Sequence, residues 1–118
     1  MALSPQREVI KNAEGKIESW KPSKYSREHY HIRIWIEGTP EELNRIQRVE
    51  YLLHPSFRQP LRRSDDRAKG FPITIWTWGM FSIKITAYHT DGSAETLQYY
   101  LSYDLPADDG TNYVSVHP

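Results

Sequence analysis

The side chains with chemistry to offer gather in two short stretches, "VEYLLHPSF" (Val49 to Phe57) and "IWTWGMF" (Ile75 to Phe81). His54 and Ser56 stand two residues apart. On an extended chain both project to the same side, within hydrogen-bonding reach, as a base and a nucleophile would. No acid is placed to orient the imidazole and no glycine-rich turn offers an oxyanion hole, so acyl transfer is disfavoured. His29-x-His31 puts two imidazoles on one face of a strand, but no third ligand follows at a metal-binding spacing. His54 or His89 would have to be folded in, and surface histidines are the simpler account. Asp65 with Asp66 and Asp108 with Asp109 are loop neighbours that nothing aims at one atom. The sequence holds no G-x-S-x-G, P-loop or H-E-x-x-H motif. The reading is non-enzymatic, with no metal and no cofactor.

The aromatic side chains are the richer signal. In "HPSF" a proline ends the strand, so Ser56 and Phe57 fall on a loop. In "WTWGMF", Gly79 is expected to supply a backbone angle other residues avoid, or to admit a neighbouring backbone closely. A tryptophan beside such a kink, Trp78, is easily presented at a loop. Trp76, Ile75 and Phe81 are expected in the core. Phe57 and Trp78 lie at strand ends, where binding residues concentrate.

Composition sets the outer limits. A chain of 118 residues holds one domain. Lys+Arg and Asp+Glu are equal at 15 each, a balance that argues against nucleic-acid binding by phosphate neutralisation and against a membrane surface as partner. With no cysteine, disulfides and thiolate sites are excluded, and a reducing, cytoplasmic setting is the expectation. No apolar run approaches the ~18 residues that a spanning helix needs. The N-terminal "MALSPQREVIKNAEGK" lacks the apolar centre of a secretory signal.

The elements that must position these residues are mostly strands. Residues 1–27 are polar and broken by Pro5, Gly15 and Pro22; they form an extension or the first strands, with "REVIKNAEGKIESW" suggesting a hairpin turning at Asn12 to Gly15. In "YHIRIWIEG", Tyr30, Ile32, Ile34 and Ile36 alternate with His31, Arg33, Trp35 and Glu37, the period of a half-buried strand. "TPEELNRI" opens a helix of about two turns, with Thr39 and Glu42 as a capping box and Pro40 at its first position. Val49, Tyr51 and Leu53 share one face of the next strand. "RQPLRRSDDRAKG", with five basic and two acidic residues, reads as an exposed, solvated connection. Three strands follow, carrying Phe71, Ile73 and Ile75; then Phe81, Ile83, Ile85 and Ala87; then Leu97, Tyr99, Leu101 and Tyr103. Asp91-Gly92 marks a hairpin between the last two, and "YVSV" is a candidate edge strand. Short strands, one brief helix and no βαβ alternation describe an all-β antiparallel sandwich over residues 28–118, with a small barrel as the alternative that periodicity alone does not separate.

Taken in order, "VEYLLHPSF-R-P" and "F-I-WTWGMFSIKITAYHTDG" resemble the YEATS domain, and its prokaryotic branch in particular. The shared pattern is a strand ending in L-H-x-[ST]-[FY] with a proline beyond, then a G-[WY]-G-x-F segment and an apolar strand. "IWIEG" and "L-x-x-I-x-x-V-x-Y" extend the likeness from Tyr30 to about Leu105. The resemblance implies an immunoglobulin-like β-sandwich and a reader of acylated lysine, such as acetyl- or crotonyl-lysine, bound between two rings on adjacent loops. Carried over, Phe57 and Trp78 are the sandwiching rings and Ser56 bonds the acyl amide through its hydroxyl. The Trp78 N–H meets the amide carbonyl, His54 lines or orients the pocket, and Phe81 closes its floor, with Thr77 and Gly79 framing Trp78. The implied partner is an acylated peptide or partner protein. Thr77 stands where the family pattern has glycine, so the Trp78 backbone is expected to present differently and the open end to narrow. Met80 is placed to cover the mouth, and His29 or Tyr30 to fence the slot. The other reading keeps the sandwich without the pocket, as an interaction or sensor domain of a bacterial signalling or defence system.

Overall fold

The computed structural model describes residues 3–118. Nine strands, numbered in chain order, form two sheets. The first sheet is organised around β3 (His29–Glu37). On one side β3 pairs with β6 (Ile73–Thr77). On the other it pairs with β1 (Ser4–Val9) along Ile32 to Glu37, and with β2 (Ile17–Trp20) at His29 and Tyr30. β2 takes the short β9 (Tyr113–Ser115) in parallel on its outer side. The second sheet runs β5 (Leu61–Ser64), β4 (Ile46–Leu52), β7 (Phe81–His89), β8 (Ala94–Leu101), antiparallel throughout. Helix α1 (Pro40–Asn44) links the sheets, and both halves of its capping box are made.

Period-two alternation decides what is inside. Ile32, Ile34 and Ile36 of β3 meet Val49 and Tyr51 of β4, Ile73 and Ile75 of β6, and Ile83, Ile85 and Ala87 of β7, all buried in one core. The two stacked sheets make a β-sandwich and not a barrel, with the immunoglobulin-like architecture that the family resemblance implies. Two local expectations change. Asn12 to Gly15 does turn, but its arms meet only at the Lys11–Ile17 bridge, because both arms lie along β3 as one interrupted strand. The polar segment after Phe57 holds β5, since an edge strand is tied by backbone bonds to β4 and does not need apolar side chains.

At the α1 end the chain is tightly determined. Gly70 has φ +80°, and a Cβ there would sit 2.6 Å from the Ile36 carbonyl oxygen. The next residue, Phe71, is the one non-glycine with positive φ among the described residues, at 54°, and is fully buried. Four bonds hold this turn: Ile36 N–H to Gly70 O (2.9 Å), Gly70 N–H to Arg67 O (3.1 Å), Phe71 N–H to Asp66 O (2.8 Å) and the buried Tyr51 hydroxyl to Phe71 O (2.6 Å).

Candidate functional site

The opposite end of the sandwich is built from two loops. The β4–β5 loop is closed by Leu53 N–H donating to Pro60 O at 2.8 Å. Inside it, Phe57 N–H donates to His54 O at 3.0 Å, making a turn with Pro55 at its second position, where a fixed φ suits it. His54 Nδ1 receives two bonds from Ser56, one from its N–H (3.1 Å) and one from its hydroxyl (2.8 Å). A backbone amide can only donate, so Nδ1 is the unprotonated nitrogen and the neutral ring carries its proton on Nε2. The Ser56 hydroxyl must therefore donate to Nδ1. Its lone pairs remain to accept a proton from a ligand N–H. Among the described residues no carboxylate bonds to His54, so the pair fixes a turn and lacks the third member of a triad.

The second loop is the β6–β7 corner, where the chain crosses from one sheet to the other. Thr77 is buried at its start, paired with Tyr30 across the ladder. Its Oγ1 accepts from Gly79 N–H and donates to Gly79 O, both at 3.3 Å, and the Tyr103 hydroxyl donates to the same carbonyl at 3.0 Å. The expected role of Gly79 is overturned: its φ is not positive, and a Cβ there would meet open space. The corner is shaped by the Thr77 hydroxyl and Tyr103 instead, so a threonine in place of the family glycine does not require a left-handed backbone. Trp78 is thereby turned outward, 54% exposed, with the Arg27 guanidinium 4.6 Å over its ring.

His54, Ser56, Phe57, Thr77, Trp78, Gly79 and Phe81 all line one cavity of about 660 Å³. Phe57 is half-buried and packs on Phe81 at 5.3 Å between centroids, while Phe81 meets His54 edge-on at 6.4 Å. Met80 and His29 also line the cavity. Tyr30 does not. Strand alternation sends it to the other face, against Tyr113 (6.3 Å) in a separate cleft of about 430 Å³ with Glu28 and Asp108. Burial, then the negative charges of Glu28 and Asp108, push the Tyr30 phenol up.

The sequence reading missed the outer half of this cavity. Trp76 is on the outer face of β6, not in the core, because Ile73 and Ile75 fill the inward parity. It stacks flat on its cross-strand partner His31 at 4.5 Å and meets Trp20 edge-on at 5.9 Å, and Trp20 in turn packs on His29 at 5.7 Å. The signal was present in the alternation of "ITIWT". Burial holds the His31 imidazole below its ordinary pKa despite the opposing charge of Glu18. The His29/His31 pair is thus occupied in aromatic stacking, and among the described residues no three His, Asp or Glu side chains gather as a metal site. The described residues contain no helix long and apolar enough to cross a membrane.

Comparison with known proteins agrees with the fold. The family profile of the prokaryotic YEATS domain matches residues 30–102. No curated protein sequence matches the chain. Among solved structures, the yeast AF-9 homolog Yaf9 superposes with a TM-score of 0.59 at 19% identity, over 87% of this chain and 66% of that one. The Yaf9 YEATS domain bound to H3K27ac gives 0.58 at 21% identity, covering 91% and 76%. The same domain recognizing an H3K122suc peptide gives 0.57 at 21%, covering 86% and 73%. At these identities the structural likeness speaks for the fold.

Proposed function

Because the chain belongs to the prokaryotic YEATS domain family, we propose that it is a non-enzymatic binding module holding an acylated lysine, or a similar planar neutral group, between Phe57 and Trp78. Acylation removes the lysine charge, so the side chain can leave water without burying an ammonium. Its amide N–H then meets the Ser56 lone pairs left free by the bond to His54, and its carbonyl meets the Trp78 N–H. Phe57 and Trp78 supply flat apolar surface, worth about 1 kcal/mol beyond area burial. Thr77, Gly79 and Phe81 set the corner and the floor. The observation that carries this reading is the convergence of Phe57 and Trp78, from different loops, on one cavity without a lining carboxylate, beside a serine whose proton is committed. Relatives of the same fold are described as bound to H3K27ac and as recognizing an H3K122suc peptide, which supports a peptide partner.

A crotonyl-lysine peptide titrated into the protein, followed by tryptophan fluorescence and amide NMR shifts, is expected to saturate. Trp78→Ala abolishes the response while changing unfolding stability by no more than about 0.5 kcal/mol, as for an exposed side chain. Ser56→Ala weakens binding about tenfold, the value of one hydrogen bond. Absence of any shift at millimolar peptide overturns the reading. It would leave an interaction or sensor domain that uses the sandwich without the slit.

A further inference from the structure

Charge is unevenly distributed around this cavity. The chain has 15 basic and 15 acidic residues, so a surface of mixed sign is the default. Yet Arg58 and Arg62 line the cavity, and no Asp or Glu is among its described lining residues. A third guanidinium, Arg27, lies over the Trp78 ring. Each ring of the slit therefore has an arginine at hand: Arg58 follows Phe57 in the chain and Arg27 covers Trp78. None of the three is ion-paired among the described residues, and Arg62 Nε donates only to a neutral carbonyl, that of Gln59, at 2.6 Å. Glu18, on the outward face of β2, acts on His31 without lining the cavity, and the carboxylates of the other strand segment fall on the opposite face. Alternation through Glu28, His29, Tyr30 and His31 gives the two imidazoles to this cavity, and gives Glu28 and Tyr30 to the cleft that Asp108 also lines.

The geometry points to a ligand that carries carboxylates beside its acylated lysine: a peptide segment with Asp or Glu flanking the modified residue, not a basic tail. This inference rests on the acyl-lysine reading of the same slit. The neutral acyl group satisfies the aromatic slot and leaves the rim guanidiniums unmatched. Exposed arginines on either side then attract acidic neighbours by charge-assisted hydrogen bonds and repel lysine or arginine. Arginine beside aromatic rings also suits single-stranded nucleic acid. Three guanidiniums on a chain of zero formal charge neutralise few phosphates, however, so the acidic peptide is the occupant favoured.

The test uses crotonyl-lysine peptides of one length whose flanks are acidic, neutral or basic. At ~50 mM salt the acidic peptide is expected to bind about tenfold tighter than the neutral one and the basic one more weakly still, with the spread closing at ~500 mM as screening shortens. Arg58→Gln/Arg62→Gln brings the acidic-to-neutral ratio to within about twofold. Equal affinities for all three peptides at low salt overturn the inference and leave the reader intact. Failure of every peptide, and of free crotonyl-lysine amide, overturns the reader itself. A neutral-flanked succinyl-lysine peptide that gains the tenfold while acidic flanks gain nothing places the carboxylate inside the slit, against the proposal. Displacement of bound acidic peptide by a twelve-nucleotide single strand at lower concentration than by the peptide itself overturns it in favour of phosphate.

Discussion

The two ends of the sandwich are built on opposite principles. At the α1 end, backbone is held in an uncommon conformation by partners on every side: Gly70 against Ile36, and Phe71 left-handed yet buried, its carbonyl capped by Tyr51. A left-handed phenylalanine costs about 1–2 kcal/mol, and it persists because the surrounding bonds overdetermine it. At the other end the backbone is ordinary and the side chains are unusual. Two loops hold their shape with a few polar contacts, made by Thr77, Tyr103, His54 and Ser56, and leave Trp78 out in solvent. Closure of the first end secures the fold; economy at the second leaves the Ser56 lone pairs and a half-exposed indole, as the proposed binding site requires.

That contrast can be broken in a graded way. The largest effect is expected at Gly70→Ala, where left-handed φ and a Cβ against backbone oxygen together cost about 3 kcal/mol or more in denaturant unfolding. The folded fraction should retain full peptide affinity. Tyr51→Phe strands the buried Phe71 carbonyl and is expected to cost about 1–3 kcal/mol, again with no change in the site. Tyr103→Phe, at the other end, removes one bond to the Gly79 carbonyl and costs about 1 kcal/mol of stability. Its distinguishing mark is a loss of peptide affinity that exceeds what either α1-end variant shows. If Tyr103→Phe is silent in binding while Gly70→Ala is not, the division between the ends is wrong.

The smallest effect concerns pH. His31 is held below its ordinary pKa of 6.5 by burial, so the unfolded chain takes up a proton at higher pH than the folded one. Stability from this residue is therefore present above pH 6.5 and declines as pH falls below it. His31→Gln should flatten the dependence of the melting temperature between about pH 7 and pH 5, the range over which an unperturbed histidine titrates. An unchanged slope would show that the stacked imidazole is not what is being protonated.

Much of the molecule was legible along the chain, because a strand's side chains alternate and burial follows the alternation. Ile32, Ile34 and Ile36, the Val49/Tyr51/Leu53 face, the Thr39–Glu42 capping box and the Asp91-Gly92 hairpin all lie where the pattern put them. The errors have separate causes. Trp76 was assigned to the core for being aromatic, although its own alternation with Ile75 pointed outward. Gly79 was credited with a conformation that a neighbouring hydroxyl made unnecessary. β5 escaped notice because an edge strand can be polar and still pair through its backbone.

By itself, then, the sequence determined the short strands, their inward faces and the turns between them, since local periodicity and turn chemistry are properties of consecutive residues; periodicity alone did not separate a sandwich from a barrel. It also fixed the chemistry of the His54–Ser56 turn, whose partners are two residues apart. Only the tertiary structure could bring Tyr103 to the Gly79 carbonyl, Arg27 over Trp78, and Arg58 and Arg62 to a rim without carboxylates. Those contacts join residues far apart in the chain. Whether they form depends on how two sheets stack and where their loops end, and no local pattern encodes that.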